Sequence, residues 1–347
     1  PEILLPLFLG GRMVIAEPDG HRDPNYLVDL VKREAVSVIH FVPTMLAEFV
    51  LVADQHRPIE IKHVFVGGEG LTRELAQQVL SFPGWTLHNL YGTTEASDYS
   101  TAWDVDLADT AQICPIGRPI YNVRLYVLGP DNEPRPVGIP GELCVAGISV
   151  GAGYLGAPEA TAKAFVADPF APGIMYRSGD ICRYRPDGIL EYVRRGDGEV
   201  KIHGHRVDLN EIEARVAEHP AVTLAAIMVR EDSPGVRRLV AYAETPDTVT
   251  ARELREWCAK TLAEYMVPAV FVTMPEFPYT LSGKIDRAKL PPPAEPVATK
   301  EEDLVAPANP MEELVAGVWC EVLGIPFIGT DQDLYDLGGD SIMAIRI

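Results

Sequence analysis

The first ninety residues alternate short apolar, β-branched runs with amphipathic stretches, and this alternation limits the possible folds more than any other feature of the chain. RMVIAE, PNYLVDLVKRE, VSVIHF, PTMLAEFVLVA, IKHVFV, TRELAQQVL and TLHNL follow one another as strand, helix, strand, repeated. Near-continuous Val/Ile strands separated by helical segments predict a parallel sheet with right-handed crossovers. A ligand site is then expected beyond the carboxyl ends of the strands. Two Gly- or Thr-rich segments fall at such ends, GGEG (Gly67 to Gly70) and YGTTE (Tyr91 to Glu95).

From about Val123 the pattern changes to shorter strands between Gly and Pro turns, as in VRLYVLGPDNEPRPVGIPGELCVAG, which suits a hairpin-rich β unit. A second, smaller α/β unit begins near Gly198 with EVKIHGHRVDL. It continues through a helix NEIEARVAEH, strands TLAAIMVRED and LVAYAE and a helix ARELREWCAKTLA, and ends near Leu290. The Pro-rich, charged PPPAEPVATKEEDLVAPANP reads as a semi-rigid linker. After it come a helical MEELVAGVWCEVLG and a closing DLGGDSIMAIRI.

At 347 residues the chain is long enough to bury a sizeable core and to hold two or three folding units. Its formal charge of −20, with no run of Lys or Arg, argues against nucleic acid as a partner. The five cysteines, Cys114, Cys144, Cys182, Cys258 and Cys320, form neither a CxxC pair nor a disulfide-like framework and read as reduced thiols. The opening PEILLPLFLGG is apolar but lacks a basic leader, and it is far shorter than the roughly 18 residues a membrane span needs. These readings predict a cytoplasmic protein with no membrane partner.

Six strings then follow in order: NLYGTTE (Asn89 to Glu95), GELCVAGISVGAGYL (Gly141 to Leu155), YRSGD (Tyr176 to Asp180), RRGDGEVKIHGHRV (Arg194 to Val207), EYMVP (Glu264 to Pro268) and LSGKIDR (Leu281 to Arg287). Together they resemble the adenylate-forming, AMP-binding family of acyl-CoA synthetases, firefly luciferase and peptide-synthetase adenylation domains. The resemblance covers essentially the whole chain. The terminal LGGDSI (Leu337 to Ile342) resembles a carrier-protein signature in which Ser341 takes 4′-phosphopantetheine, although a Ser after Asp at a helix start is also a common N-cap.

The resemblance implies roles for individual residues. Thr93 and Thr94 would offer hydroxyls to the ATP phosphates, with Gly92 in the same loop, and Glu95 would bind Mg2+, a hard cation that wants oxygen ligands. Peptide-synthetase members usually carry Pro where Thr93 stands. Tyr91 would stack on adenine and Asn89 would hydrogen-bond its edge. Asp180 would accept both ribose hydroxyls, supported by Arg195. Asp197, between Gly196 and Gly198, matches the hinge position, and Lys201 and Gly204 resemble a loop that faces the site after rotation. Lys284 is the catalytic lysine by resemblance, a mobile point charge for the substrate carboxylate and the α-phosphorus. The family's acid pocket carries over by position to Pro1, His40, Phe65, Gly67, Leu90, Asp98 and Tyr99. His40 and Asp98 there suggest an acid with a polar or cationic side chain.

The expected fold is α/β and multidomain: a parallel-sheet core with a β-barrel-like unit, a smaller mobile α/β subdomain, then a truncated helical carrier domain. The expected boundaries are 1–196 for the large adenylation core, 197–292 for the small subdomain, 293–308 for the linker and 309–347 for the first part of the carrier. The implied activity is formation of an aminoacyl-AMP from ATP with release of pyrophosphate. The acyl group then passes as a thioester to a phosphopantetheine arm, in nonribosomal peptide biosynthesis. An acyl or aryl acid–CoA ligase of the same superfamily and a catalytically silent scaffold are the alternatives. The implied partners are the amino acid, neighbouring synthetase domains such as condensation or thioesterase domains, a phosphopantetheinyl transferase and an MbtH-like protein. The family's phosphate loop and the aspartate that holds an α-amino group are expected upstream of Pro1. As a separate polypeptide the chain is therefore expected to be inactive and marginally stable.

Overall fold

A short apolar helix, α1 (Leu4–Phe8), opens the chain, and the first long helix, α2 (Pro24–Glu34), starts where Asp23 and Pro24 dictate. The Asp23 carboxylate accepts from the amides of Asn25 and Tyr26, while Pro24, with no N–H to lose, takes the first helical position. The computed structural model describes residues 3–196, 200–202, 205–233, 236–245, 249–280, 285–293, 305–323, 325, 327–332 and 337. Two units divide the chain, Pro1–His205 and Arg206–Ile347.

In the first unit β1 (Val38–Phe41), β2 (His63–Gly67) and β3 (Thr86–Tyr91) pair in parallel and in chain order, with α3 (Pro43–Gln55) and α4 (Arg73–Leu80) as the connections. The parallel reading holds for these three strands. Beyond them β4 (Thr101–Asp104) returns antiparallel to β3, and the two-residue β5 (Arg118–Pro119) pairs antiparallel to β4. RMVIAE, expected as a strand, is not one: residues 12–17 have no strand partner, and an apolar run without a neighbouring ladder gains nothing from being extended.

One face of this sheet is packed by the helices. Val64, Val66 and Leu87 meet Val28 and Val31 of α2, Leu46 and Phe49 of α3, and Leu75 and Val79 of α4 in one buried cluster. Each such side chain contributes about 1.5–3 kcal/mol by leaving water, which is what holds the carboxyl ends of β2 and β3 at one level.

The hairpin-rich segment forms a second, antiparallel sheet. Its strands are β6 (Val123–Leu128), β7 (Gly141–Gly147), then, after α5 (Pro158–Ala164), the short β8 (Phe165–Ala167), β9 (Ile174–Tyr184) and β10 (Leu190–Arg195). The order is β10-β9-β7-β6, with β8 on β9. Backbone bonds tie it to the residues that lead into β5: Ile116 N–H donates to the Leu190 carbonyl at 2.9 Å, and Leu190 N–H to that of Gly117 at 2.8 Å.

β11 (Val200–Ile202) and β12 (His205–Val207) come next in the chain. In the second unit α6 (Leu209–Ala217) is capped by Asp208, and β13 (Leu224–Ser233) pairs antiparallel with β14 (Val236–Glu244). α7 (Ala251–Ala259) starts in a reciprocal capping box between Thr250 and Glu253. A further strand, β15 (Val270–Met274), pairs in parallel with β14; its five residues, FVTM preceded by Val270, carry too short a pattern to have been read from sequence. α8 (Pro310–Leu323) covers the predicted MEELVAGVWCEVLG helix from Met311 to Leu323, and Gly324 lies outside the described residues. Among the described residues no helix is long and apolar enough to cross a membrane.

Candidate active site

β3 presents two different faces to the unit. Leu87, Asn89 and Tyr91 are buried and alternate with the more exposed Thr86, His88 and Leu90, the period of two that a half-covered strand imposes. Tyr91 therefore ends the strand pointing into the cluster it shares with Leu143, Val145, Cys182 and Leu190 of the second sheet.

There its hydroxyl meets Asp180. The Tyr91 O–H donates to Asp180 Oδ2 at 2.5 Å, and Arg195 Nη1 donates to Asp180 Oδ1 at 3.0 Å. Asp180 is 1% exposed, and it is placed on β9 by Ser178, whose Oγ donates to the Leu143 carbonyl and accepts from the Asp180 amide. Gly179, at φ +71°, supplies the left-handed residue between them that a side chain would resist. Arg195 faces Asp180 across the β9–β10 ladder as its register partner. Burial first, and the Asp180 charge next, hold the Tyr91 phenol well above its usual range. A carboxylate gripped at both oxygens by a phenol and a guanidinium is a fixed, buried acceptor, and each of its oxygens keeps a further lone-pair site.

Glu95 sits in a 3-10 turn, Thr94–Ala96, immediately beyond β3. Gly92 is needed there because a Cβ would lie 1.6 Å from the Asp98 carbonyl oxygen, so the chain can only fold back on itself this tightly at glycine. Ser97 and Asp98 follow at φ +56° and +79°, and the Asp98 amide donates to the Thr93 carbonyl at 3.1 Å. The loop after β7 clamps the turn from outside. Gly151 N–H donates to the Glu95 carbonyl at 2.8 Å, Ser97 Oγ to the Ser149 carbonyl at 2.7 Å, and the Tyr154 hydroxyl to Glu95 Oε1 at 2.7 Å. Tyr154 is held by its amide on Thr161 Oγ1 at 2.9 Å and by edge-on packing against Phe165. No role was read for Tyr154 from sequence, although it stands in the GISVGAGYL string; the only signal was its place in that motif.

The donor set fits a polar ligand. Asn89 Nδ2 donates to the Pro115 carbonyl at 2.8 Å, leaving Asn89 Oδ1 buried without a partner. Thr93 Oγ1 and Ser149 Oγ are buried and unpartnered in the same way. Each is an atom that a bound phosphate, adenine edge or coordinated water would satisfy. Thr94 is exposed at the turn.

On the opposite face of the sheet the register aligns His40 with Phe65 and Gly67 with Leu90. The Tyr99 hydroxyl lies 3.0 Å from His40 Nε2, and the two rings meet edge to face at 5.6 Å. Five of the pocket positions, His40, Phe65, Gly67, Leu90 and Tyr99, thus belong to this face or touch it. Asp98 is exposed on the returning loop. Pro1, Asp197, Gly204, Lys284 and Ser341 lie outside the described residues, as does the side chain of Lys201.

Comparison with known proteins matches three successive segments. Residues 1–155 match AMP-binding enzyme, residues 211–284 match AMP-binding enzyme C-terminal domain, and residues 313–347 match phosphopantetheine attachment site. Tyrocidine synthase 3 of Brevibacillus parabrevis is 41% identical over 100% of this chain, which spans 5% of that protein. Phosphinothricin tripeptide synthetase PhsB of Streptomyces viridochromogenes is 42% identical over 100% of this chain, which spans 30% of it. Among solved structures, holo-PA1221, an NRPS protein containing adenylation and PCP domains bound to a vinylsulfonamide inhibitor, superposes with a TM-score of 0.74 at 26% identity, covering 93% of this chain and 54% of that one. Holo-AB3403, a four-domain nonribosomal peptide synthetase bound to AMP and glycine, gives 0.53 at 30% identity, covering 99% of this chain and 26% of that one. The chain therefore spans well under two thirds of each of these relatives.

Proposed function

The chain belongs to the AMP-binding enzymes, with a phosphopantetheine attachment segment at its carboxyl end, and from that premise we propose that it takes part in activating an amino acid as its adenylate and loading it onto a carrier thiol. The substrate carboxylate attacks the α-phosphorus of ATP, the bond to pyrophosphate breaks, and aminoacyl-AMP forms. Ser341 would carry a phosphopantetheine arm, which when attached supplies the thiol that takes the acyl group, with AMP as the leaving group.

The observation that carries this reading is the buried Tyr91–Asp180–Arg195 group one strand end away from Glu95. Asp180 serves as the acceptor for ribose hydroxyls, with Arg195 fixing its carboxylate. The Tyr91 ring is the wall against adenine, and the Asn89 Oδ1 acceptor suits the exocyclic amine. Thr93 and Thr94 face the phosphates. Glu95 would hold Mg2+, which when bound neutralises phosphate charge as pyrophosphate departs. Tyr154 orients that carboxylate through Oε1. Lys284 supplies the mobile charge, and Asp197 is the pivot of the turn that withdraws it.

The division proposed is an adenylation core over 1–196, a small subdomain over 197–292, a linker over 293–308 and the start of a carrier over 309–347. His40, Phe65, Gly67, Leu90, Asp98, Tyr99 and Pro1 form the acid pocket. The exposed carboxylate of Asp98 and the imidazole of His40 among these positions suit a polar or cationic side chain. Neighbouring synthetase domains, a phosphopantetheinyl transferase and an MbtH-like protein complete the partners, in the cytoplasm.

The test is ATP–pyrophosphate exchange on the full-length product of the gene against a panel of amino acids, with Lys284→Ala as control. Exchange driven by one amino acid and lost in the control is the expected result; no exchange with any acid, with the helper protein added, defeats the proposal.

A further inference from the structure

The amino ends of β2 and β3 carry a group of side chains that the reaction proposed above does not use. His63 is the register partner of Thr86, and His88, two residues further along β3, is that of Asp104 on β4. One placement of the protons satisfies every hydrogen bond among them. Thr86 Oγ1 donates to the Lys62 carbonyl at 2.7 Å, so its lone pairs face the rings. The Asp104 carboxylate lies 2.6 Å from His88 Nδ1 and accepts its proton, which leaves a lone pair on His88 Nε2. His63 Nδ1 lies 2.8 Å from Thr86 Oγ1 and 3.1 Å from His88 Nε2, two acceptors, and in this placement carries the hydrogen that both share.

These three atoms form a triangle, closed by the 3.2 Å between Thr86 Oγ1 and His88 Nε2. Two ligand atoms bonded to a metal at about 2.1 Å and separated by roughly 90–110° lie about 2.9–3.4 Å apart. The triangle around the shared proton therefore has nearly the edges of one face of a coordination shell. Asp104 also occupies the place of the carboxylate that commonly orients a metal-binding imidazole through its other nitrogen. Phe65 stacks on His88 with centroids 4.7 Å apart, fixing the ring plane.

We propose that His63 Nδ1, His88 Nε2 and Thr86 Oγ1 form one face of a binding site for a borderline divalent transition-metal ion, Cu2+ above Ni2+ or Zn2+, with solvent completing the shell. The ion takes the place of the shared proton, which moves through solvent to Nε2 of the same His63 ring. No proton is released, and the site gains the ion's two charges. Two imidazoles select these ions over Mg2+. Among the described residues no group of three or more His, Cys, Asp or Glu can hold a metal, and this site falls below that count because its third donor is a hydroxyl. It is also remote from Glu95: five residue steps of β3 separate Thr86 from Tyr91, about 17 Å at the strand rise. A bound ion would tie β2 to β3 and stabilise the fold by mass action.

The experiment is Cu2+ titration of the untagged chain against a chromophoric chelator, read together with electron paramagnetic resonance of the loaded protein. One ion per chain, with hyperfine structure from two nitrogens, is expected. The affinity should fall more than a hundredfold in His63→Gln and in His88→Gln, fall about tenfold to a hundredfold in Asp104→Asn, and stay unchanged in His56→Gln. A spectrum with one nitrogen or none, or binding that survives loss of both His63 and His88, overturns the assignment. The spectrum of the unsubstituted chain decides the matter even where a variant misfolds.

Discussion

The Tyr91 hydroxyl and the Asp180 carboxylate, 89 positions apart in the chain, meet at 2.5 Å in the interior of the first unit. Replacing Tyr91 by Phe keeps the ring and removes only the donor, leaving a buried carboxylate oxygen one bond short. The expected loss is about 1–3 kcal/mol of unfolding free energy, read as a lower urea midpoint at unchanged slope. A midpoint equal to that of the parent would mean that Arg195 alone satisfies Asp180.

Alkaline pH should weaken the fold before any carboxylate matters. Burial raises the Cys144 thiol to about 12 and the Cys114 thiol to about 11, chiefly by desolvation, and Tyr91 is raised as well. A folded state whose acids are raised holds its protons longer than the unfolded chain does. Their contribution is thus complete below the ordinary thiol range and is lost as pH climbs from about 9 toward the folded values. Urea midpoints taken from pH 8 to 11 should decline, and Cys144→Ala should flatten the decline. An identical slope in that variant would remove Cys144 from the account.

The same burial predicts which thiol reacts. Cys320 is partly exposed, whereas Cys114, Cys144, Cys182 and Cys258 are buried. A chromogenic disulfide reagent at pH 8 should therefore titrate one thiol quickly in the native chain and the others only after denaturation. Rapid release of two or more equivalents would contradict this.

Gly92 should tolerate no side chain. The clash of a Cβ at 1.6 Å with the Asp98 carbonyl is with backbone, so Gly92→Ala must push apart the turn that carries Glu95. About 1–3 kcal/mol of destabilisation is expected. At Gly70 the nearest atom to a Cβ is Ile113 Cγ2 at 3.5 Å, an ordinary contact, so Gly70→Ala should be close to neutral. Equal melting temperatures for the two variants would refute the steric argument.

Tyr154→Phe should act on Glu95, since it deletes the 2.7 Å bond to Oε1 and leaves the ring against Phe165. In the full-length enzyme the Mg2+ concentration for half-maximal pyrophosphate exchange should rise about tenfold to a hundredfold with little change in the ATP requirement. A loss confined to ATP affinity would place Tyr154 elsewhere in the reaction.

The parts of this molecule that were legible in the sequence are those with a local signature. The alternation in TLHNLY sets the two faces of β3, and the Asp–Pro start and Val/Leu spacing of PNYLVDLVKRE set α2. What escaped depends on partners distant in sequence. RMVIAE has strand-like composition, but strand formation needs a neighbour that composition does not encode. The grip of Tyr154 on Glu95 spans 59 positions, and that of Tyr91 on Asp180 spans 89, so no periodicity announces either. The antiparallel return of β4 likewise follows from the left-handed Ser97 and Asp98, residues whose types permit that conformation without requiring it.

The paired backbone bonds between Leu190 and the Ile116–Gly117 segment have a kinetic meaning. They join β10 of the second sheet to the two residues that lead into β5 of the first, so opening either sheet at this point strains the other. The amides of Ile116 and Leu190 should consequently exchange hydrogen for deuterium only in the global unfolding event of the first unit, whereas those of α1, with no buried residue, exchange almost freely. The two sheets then behave as one foldon, and Tyr91, Asp180 and Arg195 come together in the same cooperative step.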